Sequence, residues 1–173
     1  IKGQQNIVLS GLVVYGGDVT GYGISVEHTL ASMTQWYGEN GRVWFYQSEF
    51  PYDVGQYDWG NSNYTGYWVS PAVKAHSAHG LGVYSNFRDF VVTTKEAFSV
   101  PDSPNVILTN IFTLYLWGID NGGTTIQNVI NGIGGGLARG YTQSRYVCTY
   151  SDGKYTLGAE DDLKYEMIYY DMK

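Results

Sequence analysis

Apolar residues recur along this chain in short runs rather than long ones. They read "NIVLSGLVVYGG" from Asn6, "YGISVEHTL" from Tyr22, "RVWFYQSE" from Arg42, "GLGVYSNF" from Gly80, "NVILTNIFTLYLWG" from Asn105 and "TTIQNVIN" from Thr124. Each run is rich in β-branched and aromatic residues and is closed off by Gly, Asn or Asp, the pattern of a strand between turns. Anchored on Ile24, Val43, Leu81, Val106 and Thr125, the runs step by 19, 38, 25 and 19 residues. Steps near 20 with one long insertion predict the stacked coils of a parallel β-helix, with a β-sandwich as the alternative. "HTLASMTQWYGENG" has room for one or two helical turns, but no helix of the length a βαβ crossover needs links the runs.

The long step, residues 51–80, is polar and carries two Trp and four Tyr. A loop of that kind lines a binding face in many proteins. Near the other end, "RYVCTYSDGKYTL" predicts a hairpin around Asp152-Gly153, a preferred two-residue turn pair. "LKYEMIYYDMK" follows as a last strand. The expected organisation is therefore one domain in two parts: coils over 1–137, and an extension over 138–173 that caps them.

Composition narrows the partners. The chain has 173 residues, 23 Gly, 17 Tyr and a net charge of −6. Its ten Lys and Arg are dispersed, which argues against nucleic acid, since phosphate backbones need clustered cations. No apolar run approaches the roughly 18 residues of a membrane span. Cys148 is the single cysteine, so an internal disulfide is impossible and a buried free thiol is expected. Asn63-Tyr64-Thr65 is a glycosylation acceptor if the protein is secreted. The chain opens on Ile1 and almost at once enters a strand run, so it reads as processed or excised. That first run would leave strand edges unpaired. We therefore expect a partner, either the upstream segment of the same precursor or a second copy.

The candidate chemistry is a carboxylate pair. Glu27 and Glu49 lie 22 residues apart, near one coil, each at the end of a strand run. Coils stack about 4.8 Å apart, so equivalent positions would project two carboxylates from neighbouring rungs. Like charges that close, in aromatic surroundings, favour keeping one proton bound. Glycoside hydrolysis uses such a pair, and the stacking leaves both retention and inversion open. Tyr46, Tyr52, Tyr57 and Trp59 lie near enough in sequence to stack on sugar rings. Other constellations are weaker. His76 and His79 stand at i, i+3 with no Cys or further His beside them, so no metal site is expected. "NGIGGG" is a turn, and no nucleophile-elbow or Walker pattern occurs. No cofactor is expected.

In order along the chain come Val26-Glu27-His28, Gln47-Ser48-Glu49-Phe50-Pro51-Tyr52, His76-Ser77-Ala78-His79-Gly80-Leu81-Gly82 and Val129-Ile130-Asn131. This set resembles the C-terminal region of glycoside hydrolase family 55, the exo-acting β-1,3-glucanases or laminarinases. The resemblance covers roughly residues 1–135; the tail after about 137 matches no part of it. It implies the last coils of the second of two right-handed β-helices, and release of glucose or short products from β-1,3-glucan with inversion. Glu49 would be the general acid, and Glu27 would help to hold the attacking water. Gln47 and Tyr52 would line the glucose-binding subsites, and His28 and Trp59 are further candidates for substrate binding. The family's enzymes are several times longer, and their sites also draw glutamines and a serine from coils upstream of Ile1. The implied protein is secreted, with β-1,3-glucan as its partner. The rival reading is a non-catalytic β-helix that binds glucan or builds an extracellular assembly.

Overall fold

The computed structural model describes residues 7–116, 123–139 and 144–157. They form a parallel β-helix. One face is a four-stranded parallel sheet of β1 (Leu12–Val14), β3 (Thr34–Trp36), β5 (Tyr67–Val69) and β7 (Phe98–Ser99). A larger sheet holds β2 (Thr20–Glu27), β4 (Gly41–Glu49), β6 (Ala75–Ser85) and β8 (Asn105–Tyr115), also parallel. Successive coils alternate between the two sheets, so inward-facing side chains stack in columns. Gly21, Val43, Ala78 and Leu108 form one column, and Ile24, Tyr46, Leu81 and Ile111 another. Six of these eight are buried, Gly21 and Ile24 on the first rung being partly exposed, and the apolar area they cover is the main stabilising term.

The register corrects the expected spacing. Ile24 faces Tyr46, Tyr46 faces Leu81 and Leu81 faces Ile111, so the coils step by 22, 35 and 30 residues. Thr125, taken as a rung of the same series, lies instead in β9 (Thr124–Ile126), outside the large sheet. The sequence spacing drifted because loops of unequal length separate the strands; pairing, not count, sets the rung. No α-helix occurs among the described residues, and "HTLASMTQWYGENG" forms β3 and its flanking turns, so no helix there is long and apolar enough to cross a membrane.

Each long strand turns a corner at one place. Gly23, Phe45, Gly80 and Asn110 have φ of 61°, 60°, 70° and 54°, and the register sets them side by side across four rungs. The left-handed backbone there reverses the alternation, so residues before and after the bend still point apolar groups inward. Gly and Asn suit that conformation, whereas Phe45 holds it at a cost of about 1–2 kcal/mol. Its ring is 74% exposed.

The sheet ends differently from how it runs. β11 (Arg145–Ser151) joins β8 antiparallel and turns back through Asp152-Gly153 into β12 (Lys154–Thr156). Asp152 and Gly153 both have positive φ, as the hairpin pattern requires. β10 (Leu137–Ala138) pairs antiparallel with β9. The last strand expected over "LKYEMIYYDMK" lies outside the described residues. Cys148 is a free thiol but only partly buried, because it sits opposite the Asn110 bend rather than in an inward column.

Candidate active site

Glu27 and Glu49 close β2 and β4 and face each other directly across the parallel ladder. Strand alternation turns both away from the core while Val26 and Ser48 point inward. One ligand atom each from Glu27, His28 and Glu49 lie within 4.8 Å of one another. The Glu49 side chain is 12% exposed and that of His28 42%, with His28 Nε2 3.8 Å from Glu49 Oε2. The one-coil offset thus becomes a real juxtaposition.

The two acids have different neighbours. Glu27 Oε1 accepts hydrogen bonds from Gln47 Nε2 and from Ser25 Oγ at 3.2 Å, and Gln47 Nε2 also donates to Ser25 Oγ at 2.9 Å. Charge-assisted bonds of this kind fix a carboxylate's orientation. Glu49 stands beside the His28 and Tyr52 rings instead. The His28 ring meets the Tyr52 ring edge-on at 4.3 Å, and the Arg88 guanidinium stands 5.4 Å from the centre of the same phenol ring. The Tyr52 hydroxyl is pushed above its ordinary pKa, first by desolvation, then by Glu49, with Asn86 acting the other way. His28 itself has φ of 57°, an uncommon backbone for a non-glycine residue and one that concentrates at functional sites.

Five of the residues singled out from sequence therefore meet: Glu27, His28, Gln47, Glu49 and Tyr52. Trp59 does not join them, and its substrate-binding role is corrected. It is 1% exposed and packs against Phe50, Tyr64 and Phe87 in the core beneath the long loop. Tyr46 is likewise interior, its hydroxyl donating to the Gly66 carbonyl at 2.6 Å. Tyr57 is exposed. Asn63 is exposed just after a 3-10 turn, Gly60–Ser62. His76 is buried against Tyr67, and His79 pairs with Thr109, so the two point apart in function as well as place. Ser25, Asn86 and Arg88 were missed. Ser25 was legible, since it precedes Glu27 by the same two residues that separate Gln47 from Glu49, which puts all four on one sheet face. Asn86 and Arg88 come from the turn after β6, and no local pattern marks them. A polar cleft of about 490 Å³, lined in part by Gln56, Asn61, Asn63 and Lys95, includes neither carboxylate.

Residues 3–49 match the LAM55 pectate lyase-like domain. A curated exo-β-1,3-glucanase from Streptomyces sp. (strain SirexAA-E / ActE) is 31% identical over 129 residues, which is 72% of this chain and 21% of the enzyme. The solved structure of sacteLam55A from Streptomyces sp. SirexAA-E superposes with a TM-score of 0.74 at 29% identity, over 84% of this chain and 27% of that one. The chain belongs to glycoside hydrolase family 55. A variant of sacteLam55A in complex with glucose matches the family 55 chain equally well, with a TM-score of 0.74 at 28% identity over 84% of this chain and 26% of that one. This family 55 chain spans about a quarter of the length of those relatives, and the carboxylate pair lies within residues 3–49, the stretch that matches the LAM55 domain.

Proposed function

We propose that the protein containing this chain is a secreted exo-β-1,3-glucanase in which Glu49 is the general acid and Glu27 holds the attacking water. The observation that carries this reading is the register pairing of the two glutamates at the ends of β2 and β4, in a chain similar to exo-β-1,3-glucanases. The asymmetry of their surroundings supports the division of roles. Glu27 is fixed by Ser25 and Gln47 as a hydrogen-bond acceptor, suited to orient a water. Glu49 is set deeper, beside His28 and Tyr52, where a proton can be delivered to the leaving oxygen. Tyr52, Gln47 and His28 would contact the terminal glucose, and the upstream coils of the same precursor would complete the site.

Inversion follows from the family resemblance. One local observation favours retention as a second reading: the nearest ligand atoms of the pair approach within 4.8 Å, short of the roughly 6.5–9.5 Å carboxyl separation of typical inverting enzymes. The anomer released from laminarin, followed by proton NMR, separates the two, α-glucose meaning inversion and β-glucose retention. The acid assignment is tested by Glu49→Gln in the full-length protein. Loss of a general acid is expected to lower kcat on laminarin by about 10²–10⁴-fold. Turnover within a few fold of the parent would refute Glu49 as the acid.

A further inference from the structure

The outer face of the large sheet continues past the carboxylates as a strip of aromatic rings. Glu49 is in register with Tyr84 on β6, and Gln47 with Gly82. Gly82 faces Phe112 on β8, and Phe112 faces Tyr146 on β11. Tyr84 and Phe112 meet edge to face with centroids 5.7 Å apart, and Phe112 and Tyr146 lie 5.4 Å apart at 32°. A Cβ on Gly82 would stand 2.5 Å from Phe112 Cζ. The glycine is thus what lets the far end of that ring rest over its rung, toward the acids. Tyr84 and Phe112 are partly exposed and Tyr146 more so.

From this geometry we propose that Tyr84, Phe112 and Tyr146 form a stacking platform for the pyranose rings of the β-1,3-glucan on the leaving-group side of the scissile bond. The inference rests on the glucanase reading above and extends it to the polymer beyond the terminal glucose. Order along the rungs sets the direction. Glu27, the water-side carboxylate, comes first, Glu49 next and Tyr84 after it. An acid protonates the leaving oxygen, so the leaving chain lies on the side of Glu49 away from Glu27. Rungs repeat at about 4.8 Å, comparable with one sugar, so successive rings can meet successive residues. The platform carries no ionised group of its own, which suits the C–H faces of a β-linked glucan.

The outward ladder on the other leg of the coil is built differently. Tyr22, Trp44 and His79 stack face to face at 5.3 and 5.6 Å, with interplanar angles of 18° and 23°. Their faces are occupied by one another. The edge-to-face pair of Tyr84 and Phe112 leaves ring surface free. The Tyr84 hydroxyl is held above its ordinary pKa by burial, then by Tyr146 and Glu49, which agrees with its place between the platform and the acid.

The test uses the full-length protein with Glu49→Gln to stop turnover, titrated calorimetrically with laminaritriose and laminarihexaose. The parent is expected to bind the hexaose more tightly than the triose. Adding Phe112→Leu, which keeps an apolar side chain without the flat ring, or Gly82→Ala, which displaces the ring, is expected to weaken hexaose binding about tenfold, as loss of one aromatic stacking contact would. Tyr146→Ala, at an exposed position, carries the test if either of those variants fails to fold. Tyr155→Ala, an exposed tyrosine on β12, is the control and should leave the length preference intact. Hexaose affinities within twofold of the parent in all folded platform variants would overturn the proposal alone. A parent that binds neither oligosaccharide would overturn the glucanase reading together with it.

Discussion

A single buried imidazole shows how residue-scale chemistry sets conditions for the whole fold. His76 is 2% exposed, pairs through Nε2 with the Tyr67 hydroxyl at 2.8 Å and packs edge-on to Trp36. Burial lowers its pKa from 6.5 to about 4. The folded protein keeps this ring neutral, whereas the unfolded chain takes up a proton below pH 6.5. Stability contributed here is therefore complete above about pH 6.5 and is lost as the pH falls toward 4. The loss should be on the order of 3 kcal/mol, the free-energy equivalent of such a shift. Denaturant unfolding of the parent and of His76→Gln between pH 7 and 4 checks this. Much of the parent's acid destabilisation should be absent in the glutamine variant, and parallel curves would show that His76 is not responsible. The sequence shows this histidine only as one of a pair at i, i+3 with no metal site expected. Its partner Tyr67 sits nine positions away across a turn, and nothing in a local window distinguishes a satisfied core histidine from an exposed one.

At the scale of elements, one asparagine ties three of them together. Asn131 Nδ2 donates to the Val100 carbonyl and to the Tyr150 hydroxyl, both at 2.7 Å, and its Oδ1 accepts from the Val100 amide at 3.1 Å. Tyr150 in turn donates to Asp102, and burial together with Asp102 pushes its pKa up to about 12. The segment after β7, the last coil and the antiparallel strand β11 are thereby joined through a single side chain, which itself sits at a φ of 44°. Val-Ile-Asn was visible in the sequence as part of a family pattern; its purpose was not, because its partners Tyr150 and Val100 are 19 and 31 residues away. Asn131→Ala should cost about 2 kcal/mol, since it strands part-buried polar groups and replaces a residue that tolerates the left-handed conformation with one that does not. Thermal unfolding reads the cost. Amide exchange should quicken selectively over residues 145–151, and uniform quickening across the sheet would contradict a local anchoring role.

For the molecule as a whole, the first coil is the exposed one. Among the described residues β1 pairs only with β3, and β2 only with β4. Ile7, Val8, Leu9, Tyr15 and Tyr22 are each more than half exposed. Parallel strand edges flanked by apolar side chains invite another strand. The 173-residue chain on its own should therefore self-associate. Sedimentation and native mass measurement test this, and a folded, soluble 19.3 kDa monomer would contradict it. The architecture itself was legible, because strand runs with glycine and asparagine punctuation need no long-range knowledge. Rung identity was less so, because 35 residues separate Tyr46 from Leu81 while only 22 separate Ile24 from Tyr46. What reconciles unequal loops with an aligned pair of acids is the shared left-handed corner at Gly23, Phe45, Gly80 and Asn110. Glu27 and Glu49 each follow that corner by four residues, so the corner works as a common origin from which the positions of the two acids are counted. Descendants of this scaffold can lengthen, shorten or exchange whatever lies between one corner and the next, and their chemistry stays where it was.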